Sequence, residues 1–326
     1  MLARQLALTA IAATQLVAQD SAPPRRAHHS LVYDEAGKRV LLWGGSSPYA
    51  NGDCCEFFND LWAFDGTRWT SLGETGTRVS GVGLAYDTRA KRVVAFGGYV
   101  PGTTGGVSLG DVRILENTTW VSRGRHPEII AAEPGFVFDS ARNRFVTFGG
   151  AGGRGAAHGT LWEWDGSTWN RAPATGPAAR QGHVMVFDAT RNRLVVFGGM
   201  GNISQGQPPQ QFNDTWEFDG QTWKQFTVPG PSARAAAGAA FDSKRGLVVM
   251  FGGMSGGSML GDTWAWNGTA WRQLSDTGPE ARAMGYLAYD SHRDRIVLFG
   301  GRKGWPNDLN DTWEWDGSSW KQVSAR

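Results

Sequence analysis

The sequence predicts an all-β fold, a six-bladed β-propeller of four-stranded antiparallel blades, and three observations carry that prediction. Six Gly-Gly pairs recur, at Gly44-Gly45, Gly97-Gly98, Gly149-Gly150, Gly198-Gly199, Gly252-Gly253 and Gly300-Gly301, with spacings of 53, 52, 49, 54 and 48 residues. Each pair follows a short apolar run ending in an aromatic, such as Val40 to Trp43, Leu194 to Phe197 and Ile296 to Phe299, which reads as a buried strand. The 326 residues include 46 Gly and 16 Trp, a composition that asks for many tight turns and for large flat side chains at recurring places in a core.

The elements of one repeat follow in order. Ten residues before each run-ending aromatic stands an aromatic-Asp pair: Tyr33-Asp34, Tyr86-Asp87, Phe138-Asp139, Phe187-Asp188, Phe241-Asp242 and Tyr289-Asp290. The residues between are polar and turn-forming, as in Glu35-Ala36-Gly37-Lys38, so this stretch is a strand, a turn and a second strand. The Gly-Gly pair then lets the chain leave the second strand with positive φ. After a loop of variable length comes a third strand with two aromatics on one face: Trp62 and Phe64, Trp162 and Trp164, Trp216 and Phe218, Trp264 and Trp266, Trp313 and Trp315. Val112 and Ile114 are expected in those places in the second repeat. Asp-Gly or Asn-Gly follows in five repeats, a hairpin signal, and a fourth strand opens on Trp69, Trp120, Trp169, Trp223, Trp271 or Trp320. A meander of this size cannot bury both faces alone, whereas packing six face to face in a ring can. The repeats run approximately 24–72, 73–123, 124–173, 174–227, 228–275 and 276–326, so each blade is complete in sequence within one propeller domain spanning 19–326.

In this pattern the chain resembles the kelch-repeat β-propeller family, whose motif places an Arg and often a His before the first strand. The match stands here as Arg180-Gln181-Gly182-His183, Phe187-Asp188, Gly198-Gly199, Trp216 and Trp223, and covers about residues 24–326. The repeats are of the kind found in the central domain of galactose oxidase. That enzyme's copper ligands and its thioether-forming cysteine have no visible counterpart, so no cofactor or metal is expected. The resemblance implies fold rather than reaction, because one scaffold carries many functions.

Residues 1–18 read as a cleaved export signal: Arg4, then a short apolar run from Leu6 to Ala18, then polar residues and Pro23-Pro24. The run is too short to span a membrane, so a soluble, secreted or periplasmic, monomeric protein is expected. The only cysteines, Cys54 and Cys55, are adjacent. Export to an oxidising compartment leaves two readings open, a vicinal disulfide or two unpaired thiols. The net charge of +2 and the absence of any block of like charge argue against a nucleic-acid partner.

In the kelch fold, the loops joining fourth to first and second to third strands share one face, and the resemblance implies binding there. Those loops are long and varied (46–59, 99–110, 151–159, 200–213, 254–261, 302–310), as befits recognition loops on a rigid scaffold. Arg26, Arg78, Arg180, Arg234 and Arg282 lie seven or eight residues before the first-strand aromatic and are expected to ring the channel mouth, with His29 and His183 beside them. There they would either hold an anionic or polyhydroxylated ligand or brace backbone carbonyls. Asp60, Asp111, Asp214, Asp262 and Asp311 recur at the third-strand start and read as backbone-bonding residues. The third repeat departs from the pattern, with Ala131 at the Arg place, Pro134 at the His place, Thr160 at the Asp place, and Glu133 on the inner strand. Glu133 would be either a salt-bridge partner or an acid–base carboxylate, with Asp53 and Glu56 the other acids available. Aromatics outside the repeat pattern (Tyr49, Phe57, Phe58, Tyr99, Phe212 and Trp305) are the stacking or anchoring candidates.

The favoured function is a non-catalytic binding module for a protein or glycan. The alternatives are a carbohydrate-active enzyme, as the six-bladed kelch mutarotases of sialic acid would imply, and a structural envelope component.

Overall fold

The computed structural model describes residues 22–101, 106–126, 128–152, 156–172, 175–203 and 208–323; the expected export signal at 1–18 lies outside them. Six four-stranded antiparallel sheets follow one another along the chain, each made of consecutive repeat strands. In the first blade these are Ser30–Asp34, Arg39–Trp43, Asp60–Phe64 and Trp69–Glu74. The innermost strands are Ser30–Asp34, Gly83–Asp87, Gly135–Asp139, Val184–Asp188, Gly238–Asp242 and Tyr286–Asp290. Each lies against its two neighbours, and the last lies against the first, so the ring closes. The described residues hold no helix, and none long and apolar enough to cross a membrane. Blade number, strand order and class are as the period predicts.

The second strand is the buried one in every blade, as its continuous apolar run requires; Val40, Leu41, Leu42 and Trp43 are at most 1% exposed. Its two faces feed different inter-blade clusters. Leu41 and Trp43 pack with Val93, Ala95 and Trp120 of the next blade, while Val40 and Leu42 pack with Val297 and Phe299 of the last. Alternation along one strand thus fills two wedges at once. The fourth-strand Trp reaches across a wedge. Trp69, Trp271 and Trp320 donate their indole N–H to Thr312, Thr215 and Thr263 of the preceding blade at 2.8–2.9 Å. Leu61 stands at that place in blade one, and the buried Trp120 Nε1 is left without a partner among the described residues.

The Gly-Gly pair answers to a tight approach as well as to a turn. At Gly45 φ is +100°, and a Cβ there would come within 2.8 Å of His29 Cβ and 2.9 Å of the Ala27 carbonyl. In five blades the Asp-Gly or Asn-Gly turn closes the third-to-fourth hairpin through the Asp or Asn side chain. Asp65 Oδ1 accepts the amides of Thr67 and Arg68 at 2.8 and 3.0 Å.

Two placements differ from the sequence reading. In the second blade, Arg113 and Leu115, rather than Val112 and Ile114, hold the register of Trp62 and Phe64: Arg113 pairs with Ala95 as Trp62 pairs with Leu42. Arg113 turns its guanidinium to Asp111 at 3.2 Å, filling with a charged group a place that the aromatic pattern could not reveal. Glu133 is not on the inner strand, which begins at Gly135; it lies in the bend before it with φ of +51°.

Candidate functional site

The arginines expected at the channel mouth are buried instead. Arg26, Arg180, Arg234 and Arg282 are 0–2% exposed. Each guanidinium grips the carboxylate of its own blade's strand-start aspartate, Asp60, Asp214, Asp262 or Asp311, through two hydrogen bonds of 2.5–2.9 Å. Each also donates to the carbonyl of the first Gly of its pair, at Gly44, Gly198, Gly252 and Gly300, at 2.9–3.0 Å. The arginine's own carbonyl accepts the amide of the second Gly in the preceding blade, as Gly199 N–H to Arg234 and Gly301 N–H to Arg26 show. One residue therefore ties two blades. Burial alone would raise the four aspartate carboxyls, but the hydrogen bonds and charge of the paired arginines outweigh it and hold them below the ordinary range.

Of the two readings of these arginines, the geometry of Arg26, Arg180, Arg234 and Arg282 fits the bracing one, although they lie inside the blades and not around the mouth. Arg78 is displaced by one residue: Val79 takes the inner place, accepting the Gly45 amide, and Arg78 is exposed, donating to the Phe57 carbonyl at 3.3 Å. Four of the five strand-start aspartates are these arginines' counter-ions, and Asp111 pairs with Arg113. Phe58 and Phe212 cover the guanidiniums of Arg26 and Arg180 at 4.1 and 4.3 Å, so neither is a free stacking platform. His29 and His183 are also inside, wedged edge-on against Phe299 and Phe148 of the preceding blades. Burial, then the charge of Arg180, pushes the His183 imidazole down to about 3.

What does surround the channel mouth is the position two residues after each arginine place: His28, Gly81, Glu133, Gly182, Ala236 and Met284. All six have φ between +51° and +60°. Their backbones hydrogen-bond from blade to blade, Gly81 to His28, Glu133 to Gly81, Ala236 to Gly182 and Met284 to Ala236, at 2.6–2.8 Å. Left-handed backbone at one repeat position throws these side chains clear of the inner strands. Sequence reasoning passed over His28 because it looked along the motif for recurrence. The available signal was the opposite, a motif-adjacent position occupied by His, Gly, Glu, Gly, Ala and Met in turn.

Two members of this ring meet. His28 Nδ1 hydrogen-bonds Glu133 Oε1, and each side chain keeps about a fifth of its surface exposed (22% and 21%). Gly81 makes the approach possible, because a Cβ there would lie 2.9 Å from Glu133 Cγ. Burial pushes the Glu133 carboxyl up, but the charge and hydrogen bond of His28 and the charge of Arg302 override it and keep the group ionised. A carboxylate held ionised is a poor proton donor, so this environment speaks against a general-acid role for Glu133, while its contact with His28 is that of a salt-bridge partner.

Above the pair the loops enclose a pocket of about 230 Å³ on the loop face. His28, Glu133 and Gly81 form its floor, and Phe57, Tyr99, Trp305 and the Cys54–Cys55 pair contribute its apolar walls, with Arg302 alongside. The two cysteines are joined, across a cis peptide, with Cα atoms 3.1 Å apart. Tyr99 is fixed by accepting the Gly106 amide at 2.8 Å and by leaning on Phe57, ring centroids 5.8 Å apart. Arg302 is held by Asp308 at 2.6 Å and lies 4.8 Å from the centre of the Trp305 ring, which is half exposed. Tyr49 is also half exposed but does not line this pocket, and of the three candidate acids only Glu133 does. Loops of blades one, two, three and six therefore converge here, and the channel below, also about 230 Å³, shares Glu133 as its rim.

No curated protein matches the chain. The family model described as the KLHDC2/KLHL20/DRC7 Kelch-repeats domain matches residues 135–326, from the inner strand of the third blade to the end of the sixth. With six blades built on the repeating Gly-Gly, Trp and Arg–Asp pattern, and with well over half of its length matched, the chain belongs to the Kelch-repeat family.

Proposed function

We propose that this protein is an exported, monomeric binding module that takes a segment of a partner protein into the pocket on its loop face. A Kelch propeller is typically a protein-interaction scaffold, and the observation that carries the reading here is the composition of the pocket. Three aromatic side chains and a disulfide wall a space whose floor is a fixed ion pair. Such a site suits an apolar side chain flanked by a polar group: the walls take area out of water and the floor sets orientation. The export reading rests on residues 1–18, and the paired state of Cys54 and Cys55 accords with an oxidising compartment. The test is selection of peptides from a displayed random library on the mature protein, followed by calorimetry. Trp305→Ala and Glu133→Gln should each weaken the selected peptide tenfold or more, at unchanged melting temperature for Trp305→Ala. Failure to select any peptide, or affinity indifferent to both substitutions, would overturn the reading.

A second reading, a glycan ligand, is favoured by one feature: the half-exposed Trp305 ring beside Arg302 offers a flat apolar surface next to hydrogen-bond donors. A panel of sugars raising the melting temperature, with the rise lost in Trp305→Ala, would replace the protein partner by a carbohydrate. The same panel, assayed for anomeric exchange, tests the mutarotase alternative.

A further inference from the structure

The third blade lacks the internal arginine tie, and no described residue fills its place. In blade one the Arg26 guanidinium lies among the Pro24 and Gly44 carbonyls, the Asp60 carboxylate and the Phe58 ring. The counterparts in blade three are Ile129, Gly149, Thr160 and His158, and all four line one cavity of about 110 Å³. Ala131, at the arginine place, is too short to reach it. In blade two, which also lacks the arginine, Arg113 takes over the aspartate, so the gap there is closed from within.

A second observation marks the cavity as polar by design of its wall. Thr147 stands where the other second strands carry Leu42, Ala95, Val196, Met250 and Leu298. It is 1% exposed, lines the cavity, and its Oγ1 has no hydrogen-bond partner among the described residues. A hydroxyl buried without a partner is destabilising, yet one appears at an apolar place in the blade that lacks the arginine. Trp162, whose counterparts give their indole N–H to the aspartate, forms a flat wall. Glu128 and Arg171 border the cavity with opposite charges.

We propose that this socket binds the guanidinium of an arginine side chain brought by a partner chain. The Gly149 carbonyl and the Thr147 and Thr160 hydroxyls would accept from its five donors, Glu128 would supply the counter-charge that Asp60 supplies to Arg26, and Trp162 would supply the ring. The inference does not depend on the loop-face pocket, because no residue is common to both.

The test follows the indole N–H resonance of Trp162, assigned by Trp162→Phe, in a titration with N-acetyl-arginine methylamide, using the neutral citrulline and the lysine analogues as controls. Saturable movement with the arginine analogue, weaker by tenfold or more with both controls, is the expected result. Rebuilding the missing tie in Ala131→Arg/Thr160→Asp should abolish the response and raise the melting temperature, and Thr147→Val should weaken binding while leaving the fold intact. No saturable movement, equal response to citrulline, or an undiminished response in the rebuilt protein would overturn the proposal. Should the rebuilt protein fail to fold, Thr147→Val and the citrulline control still decide.

Discussion

Arg180 has no exposed surface and spends its guanidinium on Asp214, the Gly198 carbonyl and the Ala178 carbonyl. Removing it strands a partly buried carboxylate and opens the seam between two blades. Arg180→Ala is expected to cost about 3 kcal/mol in urea unfolding, at the low end for breaking a buried pair because Asp214 keeps some contact with water. Arg78→Ala, at an exposed side chain, should change stability by no more than about 0.5 kcal/mol. Equal losses at the two positions would contradict the assignment. His183 gives a different signature. Its folded-state value is pushed down to about 3, so between the ordinary value near 6.5 and that point the unfolded chain binds the proton that the fold refuses. Stability is therefore full above about pH 6.5 and declines as pH falls. His183→Val, the residue type at the same place in blade two (Val82), should make the melting temperature less steep between about pH 6.5 and 5. An unaltered slope would show that the imidazole is protonated inside the fold.

At the scale of the element, three of the six seams share one device, the fourth-strand Trp bonded to the preceding blade's Thr. The seam that joins the first blade to the sixth carries it too, as Trp69 to Thr312 at 2.9 Å. Thr312→Val keeps the volume but removes the acceptor from a buried indole, and should lower stability by about 1–3 kcal/mol. The same change at Thr215, between blades four and five, should cost a similar amount if the closing seam is no weaker than an internal one. A clearly larger loss at Thr312 would mark closure as the limiting contact. These strands were legible from the chain because Gly-Gly, aromatic-Asp and Trp recur in register. The second blade's third strand was read one residue out because Arg113 stands in the Trp place, and an aromatic pattern is silent where a guanidinium substitutes for an indole.

For the whole molecule, the ring has no blade assembled from both ends of the chain, yet every blade is tied to two neighbours. Unfolding should therefore be a single transition, with tryptophan fluorescence and far-UV circular dichroism giving one midpoint, rather than the gradual fraying of an open repeat array. Separate midpoints would point to blades that melt independently. The scaffold was legible but for the register of one strand, for the same reason it is stable: the wedges call for residues of the same kinds. The candidate site was legible only in pieces. Tyr99, Trp305, Glu133 and the cysteine pair stood out as departures from the repeat, whereas recurrence alone left two roles open for the arginines, four of which are internal. Convergence of loops from blades one, two, three and six is a property of closure, and separation along the chain hides it.

The six left-handed residues around the mouth have a bearing on how such a protein changes its partner. Four hydrogen bonds pin their backbones to one another while their side chains stand outside the packed strands, so, Gly81 apart, the occupant of each place bears little on how the blades assemble. Glycine or alanine clears the entrance, methionine greases it, and histidine opposite glutamate charges it. Positive φ screens the alphabet, since β-branched residues adopt it at a penalty. The mouth is in effect a short combination dial set into an invariant wheel, and a new specificity can be dialled by exchanging a handful of side chains with the wheel left untouched.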